Sequence, residues 1–156
     1  MDDQTREIPF EELNSLQNPL LVHGQGYYIK GIAHHGPDYP SMLAAHTRLI
    51  ARVNEKNLRF RARILFEYFP LSKVTSVPRG TTAFMRTGES NVLILVGWTP
   101  AAAAGTSEAL DLGETEKGNT DEARELAKEL AEILLSGQRE EDLQLGYTNY
   151  SALQGD

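Results

Sequence analysis

From Phe66 to Trp98 the chain reads FEYFPLSKVTSVPRGTTAFMRTGESNVLILVGW: two β-rich runs bracket a long crossover containing Pro70, Pro78 and Gly80, with a pause at Ala83-Phe84-x-Arg86. Arg61 to Phe69 alternates charged and apolar residues in part and stops at Pro70, the pattern of a half-buried strand. Asn91 to Trp98 is the strand read most directly. A further strand is predicted between Gly24 and His35, where Tyr27, Tyr28, Ile29, Ile32 and Ala33 lie between Gly24-x-Gly26 and Gly36-Pro37.

Two helices complete the pattern. Tyr39-Pro40-Ser41 opens the first, with Met42, His46, Leu49, Ile50 and Val53 recurring at three- and four-residue spacing until Asn54-Glu55-Lys56-Asn57. The second is expected to start at Asn119 or Thr120, with Asp121 and Glu122 at its positive end, Leu126, Leu130, Ile133 and Leu134 as its buried stripe and Gly137 at its end. Residues 1–20, polar with a short Phe10-Glu11-Glu12-Leu13 stretch, read as an arm or a single helical turn before the core. Residues 21–156 read as one domain with a flexible insertion at about 100–120, where no apolar period is sustained. Strand, helix, strand, strand, helix specifies an α+β fold: an antiparallel sheet with two main helices on one face. A chain of 156 residues suits one such core.

Charge and residue usage narrow the partners. A formal charge of −7 with no Lys/Arg cluster disfavours a phosphate backbone, so no nucleic acid is expected. There is no cysteine, which removes disulfides and thiolate metal sites. His34 and His35 are adjacent on a predicted strand and so point to opposite faces. Without a His-Glu-x-x-His motif, no metal is expected. No apolar run reaches membrane-spanning length and the polar start has no signal-peptide core, so the expectation is a cytoplasmic protein without membrane contact. Gly24-x-Gly26 precedes a strand, whereas a dinucleotide fingerprint follows one, so it reads as a turn.

The Phe66–Trp98 segment, together with His23-Gly24-x-x-Tyr27-Tyr28-x-Lys30-Gly31 and Gly146-Tyr147-x-Asn149-Tyr150, resembles the substrate-binding region of fungal FAD-linked oxidases of the berberine-bridge-enzyme-like family. The resemblance covers most of the chain. It implies a ferredoxin-like substrate-domain sandwich whose free sheet face roofs the substrate. Such an oxidase needs several hundred residues, with a flavin-binding domain on both sides of this piece, and the 156 residues here hold none of it. No equivalent of the family's flavin-attachment histidine and cysteine is found, and Ser76, Val77 and Pro78 stand near the place of the plant branch's catalytic glutamate. The expectation is therefore a protein without FAD or another cofactor, its free face covered by homodimerisation.

Alternation along the strands sorts the candidate site residues. If Ile29, Gly31 and Ala33 pack under the helices, then Tyr28, Lys30, Ile32 and His34 share the free face. On the second strand Ile64, Phe66 and Tyr68 turn inward and Arg63, Leu65, Glu67 and Phe69 outward. Glu67, His34 and Tyr28 form the candidate acid/base set, because a carboxylate between apolar walls and cations can be tuned either way. Lys30, Arg63, Leu65, Phe69, Arg86, Tyr147 and Tyr150 form the candidate substrate contacts. The plainer readings are that Lys30 or Arg63 pairs with Glu67, that Tyr147 and Tyr150 are packing aromatics, and that His46 is a buried core histidine. The function these residues suggest is a cofactor-independent isomerase or cyclase of fungal secondary metabolism acting on a polycyclic metabolite. The alternative is a non-catalytic small-molecule binder or accessory subunit of a partner oxidase.

Overall fold

The structure, a computed structural model, describes residues 6–15, 18, 22–55, 60–68, 70–78, 81, 90–100 and 112–138. A 3-10 turn at Phe10–Ser15 precedes β1 (Gly26–His34), α1 (Tyr39–Glu55), β2 (Phe60–Glu67), the short α2 (Leu71–Thr75), β3 (Ser90–Trp98) and α3 (Leu112–Leu135). The three strands form one sheet in the order β1-β3-β2, with β3 antiparallel to both neighbours. This is the α+β arrangement that the element order predicts, with α2 added in the crossover.

The central position of β3 explains its unbroken apolar run. Val92, Ile94 and Val96 have no exposed surface on one face, and Leu93 and Leu95 are 8% exposed on the other. Over the first face lies α3, where Leu126, Leu130 and Leu134 alternate with Ala123, Ala127 and Ala131 so that large side chains fill the layer and small ones let the helix approach. Ala45 and Leu49 of α1 join this core, with Met42 and Val53 packed at its margin. Between the helices the Glu129 carboxylate accepts from Arg48 Nε at 2.5 Å and lies 3.6 Å from Arg52 Nε.

Several expectations are corrected. Helix α3 begins at Leu112, seven or eight residues before the predicted cap at Asn119 or Thr120; Thr120 sits inside it, donating to the Glu116 carbonyl at 2.9 Å. Two glycines and six polar residues over 113–120 leave that first part without an apolar period. His46 and Ile50 face solvent, and the inward stripe of α1 runs through Ala45 instead. The largest correction concerns β1. Directly paired residues of antiparallel strands share a face, and the register sets Tyr28, Lys30 and Ile32 opposite Val96, Ile94 and Val92. Tyr28, Lys30, Ile32 and His34 therefore lie under the helices, while Ile29, Gly31 and Ala33 lie on the other face. Small residues at Gly31 and Ala33 suggested close helix packing; the burial of Ile32 and His34 in the helix-side layer decides the register the other way.

Two aromatic–glycine pairs close one end of the sheet on opposite faces. The indole of Trp98 lies over Gly26, leaving no room for a Cβ there, and the Tyr27 ring lies over Gly97, where a Cβ would fall 2.8 Å from the ring. Trp98 Nε1–H donates to Glu116 Oε2 at 2.9 Å, tying α3 to this end. Gly24, with φ at +80°, makes the turn before β1 that its sequence signals.

Candidate functional site

The predicted acid/base set does not converge. Glu67 pairs with Asn91 on the face away from the helices and is half-buried. Tyr28 is on the helix side, its ring 6.0 Å from the Arg124 guanidinium of α3, a cation–π geometry that suits an interlayer contact. Lys30, half-buried on the same side, belongs to a strand separated from β2 by β3, so it cannot pair with Glu67. Arg63 does share the face of Glu67, four residues and about 14 Å along the strand. Phe69, Arg86, Tyr147 and Tyr150 lie outside the described residues.

His34 has no exposed surface. It sits at the end of β1 opposite Ser90, edge-on to Phe66 with ring centroids 6.1 Å apart. Gln138, just beyond α3, spans this corner: its Oε1 accepts the His35 amide at 2.7 Å and its Nε2 lies 3.2 Å from His34 Nε2. With the amide oriented by His35, its NH2 donates to the ring, so Nε2 is an acceptor and the neutral ring carries its proton on Nδ1. Nδ1 is buried with no partner in hydrogen-bond geometry among the described residues. Burial holds the His34 pKa below its ordinary 6.5, outweighing the nearby Asp38 carboxylate and Gly36 backbone, which favour the cation; His35 adds a small push downward. Gly137 completes the corner, since a Cβ there would fall into the Asp38 carboxylate. This histidine locks the end of α3 to the β1–α1 turn.

That lock has a pH signature. The folded-state pKa lies below the unfolded 6.5, so the unfolded chain binds the proton more readily. The stability from a neutral His34 is complete above about pH 6.5 and is lost as pH falls toward the lowered value. Urea midpoints measured at about pH 7.5 and pH 5 should fall on acidification in the parent and fall less in His34→Leu. Equal falls in both would remove His34 as the source.

The other face carries a different chemistry. Arg61, Arg63, Tyr27, Leu95 and Gly97 project from or line it, and with Val22, Gln25 and Trp98 they border a pocket of about 420 Å³, including space open to solvent. The turn before β1 folds over its rim, where the Val22 amide donates to Tyr27 Oη at 2.8 Å. Arg61 and Arg63 are exposed at residues i and i+2 of β2, hence on one side of the strand. Among the described residues that line this pocket none is acidic, in a chain with 22 acidic and 15 basic side chains. Sequence alternation places Arg63 and Leu65 on this face, and Arg61 shares their parity on β2; Tyr27 and Gln25 were missed because β1 was read with its faces exchanged and the preceding loop carries no strand pattern.

Among the described residues no group of three or more His, Asp or Glu side chains is placed to hold a metal ion. No described helix is long and apolar enough to cross a membrane. Comparison with known proteins finds no family model, no curated protein and no solved structure that matches the chain.

Proposed function

We propose that this chain is a small-molecule-binding domain that receives its ligand on the sheet face away from α1 and α3. The observation that carries this reading is the pocket on that face bordered by Tyr27, Arg61, Arg63 and Leu95. The β-α-β-β-α element order with strand order β1-β3-β2 supports the ferredoxin-like part of the reading. In this reading the ligand is a polycyclic metabolite, the domain needs no cofactor, and a second copy covers this sheet face, where Leu65 is 37% exposed.

The second reading, a cofactor-independent isomerase or cyclase, rests on Glu67, a half-buried carboxylate on the ligand side of the sheet. It has lost His34 and Tyr28 as partners. Incubation of the purified chain with a panel of polycyclic acids and alcohols separates the two. Native mass spectrometry should show noncovalent complexes, chromatography should return the ligands unchanged, and Glu67→Gln should bind them as the parent does. Recovery of an isomer or cyclised product that disappears in Glu67→Gln would replace the binding reading with the enzymatic one.

A further inference from the structure

We infer that the outer face of α1 is a self-association surface, on which α1 of a second copy of this chain packs antiparallel about a two-fold axis. No residue of α1 borders the ligand pocket, and this surface is independent of the ligand reading.

A helix packed on a sheet ordinarily turns charged side chains to water. Helix α3 does so: of its described exposed residues, Lys117, Arg124, Glu125, Lys128 and Glu132 are charged and Gly118 is not. Helix α1 does the opposite. None of its described exposed residues is Asp, Glu, Lys or Arg, and both of its arginines, Arg48 and Arg52, turn to Glu129 of α3. What it offers to water is Tyr39, 75% exposed, Leu43, 67% exposed, and Ile50, 43% exposed, with exposed His46 between the last two. Spacings of four, three and four residues keep these four side chains within about 60° of one another, a seam roughly a quarter-turn round the helix from the inward Met42, Ala45 and Leu49. Near Tyr39 the seam meets Tyr68, 43% exposed and stacked on Phe66 with ring centroids 6.1 Å apart. Burial first, and the neighbouring Tyr39 second, hold the Tyr68 pKa above its ordinary 10.0. Contiguous exposed apolar surface of this kind marks an interaction site.

Charge decides the occupant. Each copy carries a formal −7, so two copies repel except where an uncharged face lets them meet. A highly charged partner would lose water from its groups against a face whose described exposed residues offer no carboxylate, ammonium or guanidinium. An identical seam matches it. In an antiparallel pair centred between Ala44 and Ala45, Tyr39 meets Ile50 of the second copy and Leu43 meets its His46, each contact occurring twice. Helix α1 has 17 residues and so runs about 25 Å. A strip one helix wide over that length covers less than the ~800 Å² per copy of a standard interface, so the pairing is weak and reversible.

Sedimentation velocity of the full chain from about 1 µM to about 300 µM spans the affinity of such an interface. The parent should pass from monomer to dimer or larger as concentration rises. Leu43→Glu should raise the concentration required by about tenfold or more, because the pair would bury two unpaired carboxylates. Leu43 is 67% exposed, so this variant is expected to fold, which circular dichroism checks. Leu65→Glu, on the ligand face, separates the two surfaces: it should leave the α1 pairing in place, and the chain carrying both substitutions should be monomeric. A parent that stays monomeric at the highest concentration would overturn the inference and leave the α1 face to a different occupant. Leu43→Glu associating as the parent does, or association lost in Leu65→Glu alone, would overturn it as well.

Discussion

Ile94→Ala should cost about 2–5 kcal/mol of folding stability, the range for emptying a fully buried large aliphatic position. Ile94 is the middle residue of the middle strand and has no exposed surface. It is paired across the sheet with Lys30 and Ile64 and belongs to the cluster that includes Leu126 and Leu130 of α3. Collapse around the missing atoms is restricted, because the backbone on both sides is held by ladders. The matched control is Leu65→Ala, on the opposite face of β2 and 37% exposed, which should cost less than about 1 kcal/mol. Chemical denaturation of both variants measures the difference. Equal losses would mean that the two sheet faces contribute alike to the core, against the one-sided layering described above.

Gly26→Ala should destabilise by about 1–3 kcal/mol, the range for overpacking. The added methyl group would overlap the indole of Trp98, which is 5% exposed. That ring cannot step aside freely: it donates to Glu116 and meets Phe60 edge-on, with centroids 6.2 Å apart. Moving it costs the α3 contact as well as the packing. In a Trp98→Leu background the same Gly26→Ala change should be close to neutral, because the obstacle is gone. An equal penalty in both backgrounds would place the cause in the backbone of Gly26 and clear the indole.

The two variants also mark what could be read from the sequence. Strand β3, helix α1 and the α+β order followed directly from apolar pattern and punctuation, since a middle strand must be apolar on both sides and α1 ends in a polar run. The parity of β1 was not legible. Ile29, Gly31 and Ala33 are all small or apolar while Tyr28, Lys30 and Ile32 are mixed, so alternation favours the wrong set, and the deciding term is tertiary: which set meets α3. From that one exchange, His34 and Tyr28 moved from the proposed ligand face into the interlayer, and Tyr27 moved the other way into the pocket. Helix α3 was legible in its second half, where leucines and alanines repeat, and illegible from Leu112 to Thr120, where Trp98 donates to Glu116 and the sequence carries no apolar stripe. Arg63 was found by alternation because β2 keeps a simple pattern, and Arg61 shares its side for the same reason.

The Gln138 bridge has a further consequence, one of timing. It joins residues 103 and 104 positions apart, and β1 finds its sheet partner only in β3. A chain emerging from the ribosome therefore presents β1 early and leaves it unpaired until β3 has been made, and the corner around His34 closes only after α3 is complete. Loop closure over such distances slows assembly. In the interval the apolar side of β1 has no cover of its own, so this strand, made before its sheet partner, is among the last of the described strands to be secured.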